Sequence, residues 1–198
     1  MSAYVVPASE GKSEYVEKRS SCLGSVCRVA SEEEARTYIA AVRKEHRDAR
    51  HNCWCYLLKD GTERYSDDGE PQGTAGIPML EIFRREGVTD VVCVVTRYFG
   101  GILLGAGGLF RAYGKAAKDA LEAAGTETVV PRVFFSVPCP YGLLDRIKTG
   151  IAALSGTVEN AEYGERVVLT VSVPEHAAEN FIPGLVDLSG GTVKAEPC

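Results

Sequence analysis

The sequence predicts an α+β protein of two domains, residues 1–128 and 129–198, and three observations carry that reading. Helical apolar stripes and β-branched runs alternate irregularly up to Gly125, with glycine-dense segments between them. A polar break, Thr126 to Pro131, follows. Beyond it the order is strand, helix, strand, strand, helix, strand within about 65 residues, which is the split-βαβ, ferredoxin-like pattern.

Taken in chain order, Val5 to Ser21 is polar and reads as a leading arm to a first strand near Cys22–Ala30. Ser31 and Glu34 fit the S-x-x-E capping box, which satisfies amides that the first turn of a helix leaves unpaired. Ala35, Tyr38, Ile39 and Val42 then recur on one helical stripe. Cys53–Leu58 reads as a strand ended by the Asp60-Gly61 turn. Arg64 to Gly76, rich in Asp, Gly and Pro, is irregular for most of its length. A helix starting between Thr74 and Ile77 runs to about Glu86, with Pro78 tolerated in its first turn. Val91–Thr96 is continuously apolar and β-branched, the mark of a strand covered on both faces. After the glycine-dense Gly100–Gly108, an alanine-rich helix runs to Ala124 and stops at Gly125. In the second domain the strands are Arg132–Val137, Gly156–Glu162, Arg166–Val173 and Gly191–Ala195, with helices Tyr141–Ala153 and Pro174–Leu185.

Composition narrows the function classes. With 45% hydrophobic and 25% charged residues, the chain can bury a core, and no stretch approaches the roughly 20 apolar residues of a membrane helix. Its seven cysteines are odd in number and scattered, and its start lacks an apolar run behind a basic one, so the expected compartment is the cytoplasm. Net charge is −5, which does not announce a nucleic-acid binder and gives no indication of DNA. Residues 1–128 carry 17 basic against 19 acidic side chains and residues 129–198 carry 5 against 8, so a local basic patch is more easily built in the first domain.

The chemistry-bearing segments all lie between Arg64 and Arg111. The first is Tyr65-Ser66-Asp67-Asp68-Gly69-Glu70-Pro71 with Gly73-Thr74-Ala75-Gly76. Asp67, Asp68 and Glu70 are hard oxygen donors of the kind Mg²⁺ prefers, but Asp-Gly and Glu-Pro are also turn-formers whose carboxylates cap backbone amides. The structural role is favoured. Val95-Thr96-Arg97-Tyr98-Phe99-Gly100-Gly101 and Leu104-Gly105-Ala106-Gly107-Gly108-Leu109, leading to Arg111-Ala112-Tyr113, form the second and third. Gly105, Gly107 and Gly108 open a helix, where free amides attract an anion, and Arg97 and Arg111 flank them. Neither a P-loop nor a dinucleotide fingerprint is present, and glycines at such a place also let helix and sheet backbones approach closely. Tyr98 and Thr74 complete the candidate anion or ligand site, and interleaved aromatics beside arginine suit RNA bases, although most such rings are core. His51, Cys53 and Cys55 alternate and would share one face of a strand, the start of a zinc site, yet no fourth ligand is evident and no metal is expected.

Together these strings, with His51-Asn52-Cys53, resemble the IMPACT family in its bacterial YigZ-like branch. The likeness covers roughly residues 15–125 strongly and the second domain more weakly, and departs from the usual pattern at Ser21-Cys22 and Trp54-Cys55. It implies a first domain like ribosomal protein S5 domain 2 and a second like domain V of elongation factor G. It also implies a link to regulation of translation, since eukaryotic relatives compete for a ribosome-associated activator of a starvation-sensing kinase. The expected function is a regulatory binding protein that contacts RNA or a ribosome-associated protein through its Gly-rich loops, without a cofactor. One alternative is an enzyme using Mg²⁺ on a phosphorylated small molecule or nucleotide; the other is an adaptor that recognises protein alone. No nucleophile or general base with an evident partner supports the enzyme, so binding is ranked first.

Overall fold

Alternation of burial, more than apolar content, decides where the first strands run. In the computed structural model, which describes residues 3–198, the supposed polar arm contains two strands, β1 (Tyr4–Pro7) and β2 (Gly11–Glu17). Strand β2 sits at a sheet edge, so half its side chains stay polar and its period is masked by charge. It turns into β3 (Ser20–Arg28) through Lys18 and Arg19, with Glu17 paired to Ser20. Both turn residues have positive φ, 46° and 64°. Two-residue hairpins of this kind ordinarily use Asn-Gly, so the sequence carries no visible turn signal here.

Helix α1 (Glu32–Glu45) starts as expected: the Glu34 amide donates to Ser31 Oγ at 3.2 Å, and the Glu34 carboxylate reaches back to the Ala30 amide at 2.7 Å. Strands β4 (His51–Leu57) and β5 (Glu63–Ser66), helix α2 (Gly76–Glu86), strand β6 (Val91–Tyr98) and helix α3 (Ala106–Ala124) follow. The antiparallel sheet has the order β2-β3-β6-β4-β5. Its central strand β6 is buried on both sides. Odd-numbered residues Val91, Cys93 and Val95 meet α2 and α3 in one core, and Val92 and Val94 meet α1 in another. Helix α3 lies so close to β2 and β3 that a Cβ on Gly24 would fall 2.4 Å from the Ala116 carbonyl oxygen.

The segment read as a linker begins with a strand, β7 (Thr126–Val129), paired antiparallel to β1. Its partner is more than a hundred residues away in the chain, which no local pattern reveals. The first compact unit is thus Tyr4–Val129, and the second begins at Val130.

That second unit comprises β8 (Arg132–Cys139), α4 (Leu144–Ala153), β9 (Thr157–Tyr163), β10 (Val167–Pro174), α5 (Ala178–Ser189) and β11 (Glu196–Pro197). Its sheet order, β11-β8-β10-β9, is the ferredoxin-like one. The last strand departs most from expectation: Gly190 and Gly191 both take positive φ, and the chain reaches the edge of β8 at Glu196 and Pro197, beyond the expected Gly191–Ala195. Val193 and Ala195 remain in the core without belonging to the ladder.

Candidate functional site

One end of the five-stranded sheet gathers all three unusual segments. There β6 ends, β4 begins, and the acidic loop 67–75 and the glycine loop 99–105 lead into α2 and α3. Each carboxylate of the acidic loop is engaged. Asp67 accepts from the amides of Gly73 (2.8 Å), Ala75 (3.1 Å) and Gly76 (2.8 Å), filling the start of α2. Asp68 pairs with Arg43 and accepts from the Asn52 amide at 2.7 Å. Glu70 turns inward, its side chain 3% exposed, to take Arg97 Nε at 2.5 Å and the Tyr113 hydroxyl at 2.7 Å. Glu70 therefore ties the acidic loop, β6 and α3 together at one carboxylate.

The alternation of β4 puts His51, Cys53 and Cys55 on one face, as the sequence implies, and also shows why they do not converge. His51 Nδ1 donates to the Asp68 carbonyl (2.8 Å), leaving Nε2 4.0 Å from Glu70. Cys53 Sγ donates to the Asp67 carbonyl (2.9 Å). Cys55 lies fully buried opposite Cys93 on β6. Among the described residues no three His, Cys, Asp or Glu side chains are grouped to hold a metal ion. Burial pushes the Cys53 thiol well above the ordinary 9.0, with the nearby carboxylates adding to the rise, so it is a poor nucleophile. Burial also drives Tyr113 far up, helped by Cys53 and Glu70. Burial works against the charge on Arg97, but the hydrogen bond and charge of Glu70 outweigh it and hold the guanidinium above its ordinary value.

Several predicted ligand residues are consequently occupied elsewhere. Arg97 is 9% exposed at its side chain and committed to Glu70, so it is a buried ion pair and not a free anion ligand. Tyr98, one residue on, points to the opposite face of the sheet, its hydroxyl 3.1 Å from His46 Nδ1 and 3.2 Å from Asp48. Thr74 is buried and its hydroxyl closes a turn on the Pro71 carbonyl (2.6 Å). Gly105, Gly107, Gly108 and Arg111 stay together at the start of α3. Gly105 has φ +71°, and among the described residues no group accepts from the amides of Ala106, Gly107 or Gly108. Arg111 lies back over this turn, its Nη1 3.6 Å from where a Gly107 Cβ would stand, and among the described residues it forms no ion pair.

Sequence reasoning missed the neighbours that complete this end. Gly100 packs directly on the Lys18-Arg19 turn, where a Cβ would meet Arg19 carbonyl atoms at 2.0–2.1 Å, and its amide donates to Ser20 Oγ at 3.1 Å. Arg50 stands 5.7 Å from the Phe99 ring centroid. Lys18, Arg19 and Arg50 are exposed and, among the described residues, without an ion pair. The run of alternating charges in β2 conceals the first two, since the register that brings them to Gly100 is tertiary.

The arrangement is that of a two-domain α+β protein: an S5 domain 2-like unit followed by a ferredoxin-like unit. The family profile described as the Impact N-terminal domain matches residues 18–121, and one described as a domain of unknown function, DUF1949, matches residues 137–192. IMPACT family member YvyE of Bacillus subtilis is 35% identical over 192 residues, 96% of this chain and 88% of that protein. IMPACT family member YigZ of Escherichia coli is 35% identical over 198 residues, covering 98% of this chain and 97% of the relative. A solved structure described as that of a hypothetical protein superposes with a TM-score of 0.68 at 34% identity, covering 98% of this chain and 97% of its own. The chain belongs to the IMPACT family. Among the described residues no helix is long and apolar enough to cross a membrane.

Proposed function

We propose that the chain is a regulatory binding protein of the translation apparatus, whose first unit holds a ribosome-associated partner at the loop end of its five-stranded sheet. One observation carries the reading. At that end Lys18, Arg19, Arg50 and Arg111 have no counter-ion among the described residues, whereas Asp67, Asp68 and Glu70 are all engaged internally. Three amides at the start of α3, without acceptors among the described residues, add donors of the same polarity. Family kinship supplies the link to translation. The magnesium-enzyme reading draws no support, because each acidic side chain that would bind the ion serves the loop instead.

Co-sedimentation with purified ribosomal particles tests the proposal. Changing Lys18, Arg19 and Arg111 to alanine together is expected to weaken pelleting by about tenfold and to flatten its salt dependence. All three are exposed, so the fold is retained. Pelleting of the triple variant at the wild-type level overturns the proposal.

A further inference from the structure

We propose that the loop after β6 and the first turns of α3 form a docking surface for an acidic, apolar segment of another protein; this deepens the reading just given and rests on it. Three side chains within nine residues are turned to solvent: Ile102 is 45% exposed, Leu103 81% and Phe110 49%. Exposed apolar groups this close together on a loop and the helix it leads into mark an interaction site. Their chemistry selects the partner. Ile102 and Leu103 have no π face on which a base could stack, but they are suited to fill apolar depressions between side chains. The Phe99 ring already has the Arg50 and Arg97 guanidinium carbons 5.7 and 5.9 Å from its centroid, which leaves Phe110 as the open π face of this patch beside the two aliphatic side chains. Tyr98 is turned to the other face of the sheet.

The rim of the patch is cationic. The Lys18-Arg19 turn meets the loop where the Arg19 backbone packs on Gly100, and Arg111 lies beside Gly107. Carboxylates on the partner would meet these three charges, and one would find the unoccupied amides at the start of α3. A long polyphosphate chain is less well matched, because the molecule as a whole carries a net charge of −5. An apolar centre with a charged rim is the anatomy of a protein interface.

The test titrates the full chain, by fluorescence anisotropy, with three labelled probes. One is a synthetic helix-forming peptide with Leu at i, i+3, i+4 and i+7 and Glu at the flanking positions; the second has Lys in place of Glu; the third is an oligouridine of about 20 nucleotides. The acidic peptide is expected to bind at least about tenfold more tightly than the basic one, and to lose about thirtyfold when Ile102→Glu and Leu103→Glu are combined. Tighter binding of oligouridine than of the acidic peptide overturns the inference, as does failure of the acidic peptide to bind or its indifference to the double variant. Ribosomal co-sedimentation separates the two claims. If the peptide binds through this surface while the double variant pellets like wild type, the surface stands and its assignment to the ribosome falls. If the peptide fails while the Lys18, Arg19 and Arg111 triple variant loses pelleting, the ribosomal reading stands and the docking surface falls.

Discussion

At the scale of single residues, Glu70 and Arg97 decide how the loop end is held. A buried ion pair gains little over an apolar pair of similar volume, but removing one partner strands the other charge. Arg97→Ala is expected to destabilise the protein by roughly 3–5 kcal/mol in urea titrations. Arg97→Met combined with Glu70→Gln should recover much of that loss, since the glutamine oxygen still accepts from Tyr113. Equal destabilisation by the single and double changes would show that the ion pair is not the origin of the effect. A second prediction concerns pH. Burial raises the Cys22 thiol from 9.0 to about 11, Arg97 opposing and Glu70 assisting. Below pH 9 the thiol is neutral in both folded and unfolded chains, so stability is unaffected. Between pH 9 and 11 the unfolded chain loses the proton that the folded chain keeps, so stability falls as pH rises, by on the order of 2–3 kcal/mol. Cys53 and Cys55 act in the same direction, so the contribution of Cys22 is read as the difference from Cys22→Ala between pH 8 and pH 11. A difference that stays constant across this range contradicts the assignment.

At the scale of elements, the two helix starts at the loop end are built differently, and the difference follows from what precedes each. Helix α2 is preceded by a loop that folds Asp67 back onto its first amides; α3 is preceded by Ile102, Leu103, Leu104 and Gly105, which bring no side-chain acceptor to do so. Asp67→Asn should therefore cost roughly 1–3 kcal/mol by weakening three charge-assisted hydrogen bonds, with faster hydrogen exchange at Gly73, Ala75 and Gly76. Unchanged protection at those amides would show that the loop is held by other contacts. Much of this was legible in advance: the cap at Ser31, the start of α2, the stop at Gly125 and the doubly covered β6 are written in local residue types. Strand β2 was not, because an edge strand with one exposed face carries charge at alternate positions. Nor was the Lys18-Arg19 turn, because neither residue favours positive φ.

At the scale of the whole molecule, β1 and β7 show that the first unit is closed by its two ends. Residues 18–121, the span of the family match, omit β1, β2 and β7, whereas Tyr4–Val129 contains both cores of the unit. A fragment of residues 4–129 is expected to fold cooperatively, with native-like amide protection in β6, and one of residues 18–121 to lose that protection. Equal protection in the two fragments would make the terminal strands dispensable. The family was readable from three strings of local chemistry, and so were the α+β class and most helices, because caps, glycine stops and apolar periods act over a few residues. The availability of each charged group was not. Arg97 and Arg111 look alike in the chain, yet alternation on β6 aims one at Glu70 in the interior while the start of α3 leaves the other in solvent. Sequence determined which groups could bind, through their chemistry; tertiary structure alone decided which were already neutralised, because pairing depends on contacts between residues far apart in the chain.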